Sequence, residues 1–276
     1  MSANTSILSE NTPAKNPGVS FLAVMVFGSV LVGNALCQTT PNWPDESDWE
    51  PLTIGGTYYT DAVSKPPDQG NFQDNINIVG DTNNYAGAFY HDASHVFFRM
   101  RVAGDGTGKN NVWQWPIDND MDSGADGAVD VEYVVEVRQS QSDQVEIAVA
   151  TVEGTTWNTP PDDVAFSTVT SRVYTPLDDF SRWTNAQTNI GGGTDYFVDA
   201  AIPLGDFTST VVPDFTDFAI ALTTSTTHTE VNKDYPDGAM SDPVQTPEPG
   251  AALLLVLAAC GFLISRSPGA MKKERR

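Results

Sequence analysis

The chain has 276 residues, enough for one large domain or two modest ones, with 40% hydrophobic and 18% charged residues. That balance excludes both a charged disordered coil and a protein embedded in a membrane throughout. Asp and Glu number 36 against 14 Lys and Arg, a net charge of −22 that repels phosphate backbones and argues against a nucleic-acid partner. The two cysteines, Cys37 and Cys260, are too few for a disulfide framework or a Cys-based zinc site.

The first element in chain order is an apolar run from Phe21 to Val32, preceded by a polar stretch with Lys15 and followed by Gly33-Asn34-Ala35. As a helix it would reach only about 18 Å, too short to span a bilayer. It reads as a signal peptide over residues 1–35, with cleavage after Ala35. A lipoprotein reading of Cys37 fits less well, because Leu36 stands where a small residue is expected. Residues 36–47 are polar and contain proline, so they read as a linker.

Period-two alternation dominates the next stretch, residues 48–230. In His95 to Val102, Val96, Phe98, Met100 and Val102 face one way, and Phe97, Arg99 and Arg101 the other. Residues 130–138 and 143–152 alternate likewise and predict a hairpin around Ser140-Gln141-Ser142. Tyr196, Val198, Ala200 and Ile202 predict another strand, ended by Pro203, and Phe218, Ile220 and Leu222 the last. Less regular strands are predicted at 76–80, 85–90, 112–117 and 164–175. No stretch between them has a 3.6-residue apolar period, so parallel βαβ units are not expected. The predicted fold is all-β: a single antiparallel β-sandwich of the carbohydrate-binding-module type, with an N-terminal signal helix and a C-terminal hydrophobic sorting helix.

Several residues in this region invite a chemical reading. His91 and His95 are four apart but bracket a turn at the start of a strand, so a satisfied turn is the expectation rather than a zinc site. Gly104 to Lys109 resembles a phosphate loop only superficially, since Ala103 and Asn110 stand where that motif needs Gly and Ser/Thr. Trp113 and Trp115 share a strand face and could form a platform for sugar rings, although Ile117 on the same face argues for the core. Arg99 and Arg101, in a domain poor in cations, could hold an acidic sugar or pair with Glu132 and Glu136 on a neighbouring strand. No Ser-His-Asp constellation or spaced carboxylate pair stands out, so a non-enzymatic role is expected.

The segment from Asp118 to Asp130 is the most distinctive. Asp118, Asp120, Asp122 and Asp126 stand at positions 1, 3, 5 and 9, with the Gly124 carbonyl between and Asp130 as a closing ligand. Oxygen ligands at that spacing suit a hard cation such as Ca2+. The segment departs from the EF-hand, because Ser123 replaces the turn glycine and Val129 the bidentate Glu; a loop between strands, closer to thrombospondin-type Asp repeats, is the better comparison. An acidic solvated turn is the alternative.

Residues 231–246 form a second polar, proline-containing linker, and residues 247–276 a tripartite ending. Pro247-Glu248-Pro249 comes first, then the apolar segment Ala251 to Ile264, then Arg266, Lys272, Lys273, Arg275 and Arg276. The apolar segment would cover about 21 Å, a marginal span, and the basic cluster would stay cytoplasmic. Between the two ends, residues 36–247 carry 8 basic and 33 acidic side chains, a net charge of −25.

The ordered ending resembles the PEP-CTERM sorting signal of exosortase substrates. That resemblance implies processing by a membrane exosortase and delivery to the surface or extracellular matrix of a Gram-negative-type cell, often alongside exopolysaccharide. The segments 78–105, 113–123 and 194–204 resemble an uncharacterised domain of bacterial surface proteins, similar to family-9 carbohydrate-binding and DOMON-like sandwiches. This second resemblance implies fold more than ligand. The combined expectation is a secreted, non-catalytic domain that binds extracellular polysaccharide, or else a structural, calcium-stabilised matrix component with no glycan ligand.

Overall fold

The computed structural model describes residues 39–61, 73–119, 121, 131–139, 143–151, 164–165, 167–190, 192–211, 217–228, 230–231, 233–234 and 240–244. The chain divides into two units, 1–36 and 37–276, and every described residue belongs to the second. The expected signal peptide, the sorting segment and its helix therefore lie outside the described residues. Among those residues, no helix is long and apolar enough to cross a membrane.

The described elements are overwhelmingly strands. In chain order they are β1 (Glu50–Pro51), β2 (Thr53–Ile54), β3 (Thr57–Tyr58), β4 (Gly87–His91), β5 (His95–Val102), β6 (Val112–Asp118), β7 (Tyr133–Arg138) and β8 (Gln144–Thr151). There follow β9 (Val164–Ala165), β10 (Ser167–Tyr174), β11 (Ser181–Asn185), β12 (Tyr196–Pro203), β13 (Ala219–Ile220), β14 (Thr223–Ser225) and β15 (Glu230–Val231). Two short helices, α1 (Leu177–Phe180) and α2 (Leu204–Thr210), sit between strands.

The fold is all-β and its sheets are antiparallel. A five-stranded sheet has the order β1-β4-β5-β12-β11, and a six-stranded sheet the order β10-β8-β7-β6-β13, with β14 also on β6. Two small pairs, β2 with β3 and β15 with β9, complete the set. Alternation decides what each strand presents. Val96, Phe98, Met100 and Val102 of β5 join Val198, Ala200 and Ile202 of β12 in one hydrophobic cluster. The same cluster takes Trp113, Trp115 and Ile117 of β6, Val135 and Val137 of β7, and Val145 and Ile147 of β8. One face of each main sheet thus feeds a shared core. Phe207 of α2 closes it against Phe98 and Phe218, at centroid distances of 5.8 and 5.5 Å.

The opposite faces are also covered. On the five-stranded sheet, Trp49, Ala88, Phe97 and Ala201 form a second cluster, with Trp43, Tyr85 and Tyr90 packed on it. Both expected linkers are corrected here. Residue Trp43, in the first linker, packs on Phe97 at 5.6 Å, and His95 reaches the carbonyl of Thr39 at 3.1 Å. In the second, Asp234 accepts the Ile78 amide at 2.6 Å, and Asp242 accepts the amides of Gly55 (2.9 Å) and Gly56 (2.8 Å). Those two glycines turn the β2–β3 hairpin at φ of 60° and 78°, backbone that an L side chain rarely adopts. The Gly56 amide, with Thr53 and Gly55, holds the Asp242 carboxyl below its ordinary value. Thr39, Trp43, Asp234 and Asp242 thus pack as parts of the domain.

Candidate functional site

The five-stranded sheet carries its charge on the face away from the shared core. Arg99 of β5 stands opposite Asp199 of β12 and grips it with both arms, Nε to Oδ1 at 2.7 Å and Nη2 to Oδ2 at 2.9 Å. Its remaining nitrogen reaches Glu46 Oε2 at 2.6 Å, and its guanidinium lies between the rings of Trp49 (4.0 Å) and Phe197 (4.1 Å). Arg182 of β11 donates to the second oxygen of Asp199 at 2.7 Å. Arg101 donates to the Tyr85 carbonyl at 2.9 Å and to the Thr188 hydroxyl at 2.5 Å. The expected partners Glu132 and Glu136 are replaced, because β5 and β7 belong to different sheets. Both arginines are almost wholly buried, so neither offers a face to an acidic sugar and the glycan assignment to Arg99 and Arg101 is corrected.

Trp113 and Trp115 have no exposed surface. The Trp113 indole donates to the Asn75 carbonyl at 2.9 Å and its ring meets Trp183 edge-on at 4.6 Å. A platform for sugar needs an open ring face, so the glycan assignment to these tryptophans is corrected too. They are core. Gly106 is required beside them, since a Cβ there would come within 2.6 Å of the Trp113 ring. The Gly104–Lys109 stretch makes a turn, with the Thr107 amide on Asp105 Oδ1 at 2.9 Å.

The His91–His95 stretch is the hairpin turn between β4 and β5. Asp92 Oδ1 accepts the amides of Ser94 (2.6 Å) and His95 (2.7 Å). His95 is buried and contacts Ser94 Oγ through Nδ1 and Thr39 through Nε2, so both ring nitrogens are engaged. Burial holds its pKa below the ordinary histidine value.

Of the calcium residues, Asp118 ends β6 and its Oδ1 accepts the Met121 amide at 2.6 Å. Asn119 is tied on both sides, by its amide to Glu132 (3.0 Å) and by its side chain to the Val211 carbonyl (2.7 Å). Asp120, Asp122, Gly124, Asp126 and Asp130 lie outside the described residues, as do Pro247, Glu248, Pro249, Arg275 and Arg276.

A group that sequence reasoning did not single out sits on the six-stranded sheet, on the face away from the shared core. Cross-strand register places Thr223 (β14) opposite Gln114 (β6), Gln114 opposite Glu136 (β7), and Glu136 opposite Glu146 (β8). All four are fully buried. Thr223 donates to Gln114 at 3.1 Å, and the Gln114 amide donates to Glu136 Oε1 at 2.7 Å. Glu146 Oε2 accepts from Arg138 at 2.9 Å and from Gln144. Glu136 Oε2, Glu146 Oε1 and His228 Nδ1 are buried without a hydrogen-bond partner. One ring nitrogen of His228 and one oxygen of each carboxylate lie within 4.8 Å of one another. Burial first, and then the Glu146 charge, raises the Glu136 pKa well above the carboxylate range, against the opposing pull of Gln114 and Arg138. Beside the group is a cavity of about 50 Å³ lined by Asn110, Val112, Arg138, Gln139, Thr226, Thr227 and His228. Chemically, the arrangement offers two oxygen donors and one nitrogen donor.

No protein-family model, no curated protein and no solved structure matches the chain.

Proposed function

We propose that this chain is an exported, exosortase-processed protein of the cell surface or extracellular matrix, anchored transiently or permanently through its C-terminal segment. In this reading the central domain is a β-sandwich with a structural, non-catalytic role, stabilised by bound cations. The observation that carries it is the ordered run of Pro247-Glu248-Pro249, an apolar segment and a basic cluster. Two antiparallel sheets sharing one core agree with the sandwich.

The structural role is preferred to polysaccharide binding on a specific ground. The tryptophans and arginines considered for a sugar are used internally. The cleft lined by Glu50, Thr53, Phe89 and Asp242, about 260 Å³, falls below the usual ligand-pocket range of about 300–1,000 Å³. Its Asp242 oxygens are already taken by Thr53, Gly55 and Gly56.

Intact-mass measurement of protein recovered from the cell surface tests the sorting reading; mature material should lack Ala251 to Arg276, and its retention there rejects processing. A glycan array that includes the host's own exopolysaccharide tests the structural role. Saturable binding would replace it with the polysaccharide reading. For the Asp118–Asp130 loop, adding Ca2+ should raise Tm, EDTA should reverse the rise, and Asp120→Ala should blunt it. At free calcium a hundredfold above Kd the stabilisation is about 2.7 kcal/mol.

A further inference from the structure

The buried charge on the six-stranded sheet is incompletely balanced. Two carboxylates, Glu136 and Glu146, face each other across a strand pair with one cation, Arg138, bonded to Glu146 alone. Like charges directly opposite on neighbouring strands are destabilising, and a buried carboxylate without a counter-charge is costly. A proton shared between the two carboxyl groups would relieve the repulsion. It would leave the buried Nδ1 of His228 without a partner. A divalent cation satisfies all three groups at once.

We propose that Glu136, Glu146 and His228 form a binding site for a single divalent transition-metal ion of the zinc type. Three observations carry this, each independent of the others. One candidate donor atom from each residue lies within 4.8 Å of the other two, so small side-chain shifts would bring all three onto one ion. Both glutamates are 0% exposed and each keeps an unpartnered oxygen, so the donors are desolvated in advance of binding. The other oxygen of each carboxylate is already fixed, Glu136 by Gln114 and Glu146 by Arg138. Such outer hydrogen bonds orient metal ligands.

The donor set also selects the metal. One imidazole nitrogen with two carboxylate oxygens suits Zn2+, which binds all of these at about 2.0–2.2 Å and is content with four ligands. Ca2+ takes six to eight oxygens, so the imidazole makes this site distinct from the Asp118–Asp130 loop. Three protein ligands leave a fourth position. His228 also lines the adjoining cavity of about 50 Å³, which has room for a water molecule. The ion would tie β7 and β8 to the segment carrying His228, which is otherwise joined to the sheet through β14.

The test uses the full chain, stripped with chelator and titrated with zinc chloride alone by calorimetry, with metal content measured after gel filtration. The expected result is about one zinc per chain and a higher Tm. His228→Ala and Glu136→Gln should each weaken binding about tenfold or more, on the scale that loss of well-placed metal-site groups produces. Asp120→Ala should leave zinc binding unchanged, which separates this site from the acidic loop. Circular dichroism checks that each variant folds; His228 is only half-buried, so its variant decides the matter even where Glu136→Gln does not fold. Zinc binding that is absent from the native chain, or equal in His228→Ala, overturns the proposal in favour of a shared proton. These readouts do not depend on export or processing.

Discussion

Arg99 and Glu136 are both buried ionisable groups on strand faces turned away from the shared core, and their neighbours treat them differently. Arg99 meets a directly opposed carboxylate, a second acid, and two aromatic rings, so that its charge is compensated within the protein. Burial opposes that charge, yet the bonds to Asp199 and Glu46 win and hold its pKa above the ordinary value. Glu136 meets an amide on one side and another carboxylate on the other. There burial and the like charge win, and the proton is held more tightly. The lesson is that burial alone does not decide the state of an ionisable group. The charged groups beside it decide whether the effect of burial is overcome, as at Arg99, or reinforced, as at Glu136.

The largest way to break this contrast is to remove Asp199. Asp199→Ala leaves Arg99 and Arg182 without their shared carboxylate, and breaking a buried pair in this way costs about 3–5 kcal/mol. Urea denaturation should show a clear drop in midpoint, and an unchanged midpoint would mean that Glu46 alone suffices for Arg99. Trp115→Ala should cost a similar amount, about 3–5 kcal/mol, through loss of core volume. Its effect will be on folding, which makes it unsuitable as a probe of ligand binding.

A change of pH sharpens the Glu136 side of the contrast. A carboxyl whose folded pKa is raised binds its proton more tightly in the native state, so the stability it contributes is present at low pH. That contribution is lost as pH rises from the unfolded value of about 4.5 through the folded value of about 8. Metal-free protein should therefore lose stability across this window, and Glu136→Gln should flatten that part of the profile. A wild-type profile identical to the variant's would contradict the proposed burial of an uncompensated charge. The smallest effect is expected from Glu46→Ala. Glu46 is 67% exposed at its side chain, so its bond to Arg99 is worth at most about 1 kcal/mol.

The hairpin of β7 and β8 is largely legible in the amino-acid sequence. Alternation locates both strands, and a turn centred on Gln141 already implies the register that pairs Glu136 with Glu146. The antiparallel, all-β character follows from the same alternation, which also delimits β5 to its terminal residues. The short elements are less visible. Strand β11 and helix α1 carry no comparable periodic signal, and the strand expected at 76–80 is a 3-10 turn, Asp74–Ile76, followed by an isolated bridge from Ile78 to Val102.

Alternation by itself determined the long strands β5, β7, β8 and β12 and which of their residues share a face, because side chains along an extended chain point alternately to either side. It could not determine which faces meet water. In β5 both faces are buried, the second because residues around Trp43 and Trp49, which by composition form a linker and its boundary, lie across it. Nor could it choose partners across the fold. Arg99 is 100 residues from Asp199, and Glu136 meets His228 only through the return of the chain along β14. Local sequence carries the period of a strand. The identity of the group opposite a charge, and with it whether that charge is neutralised, protonated or free to take an ion, is decided by sheet order, which is a tertiary property.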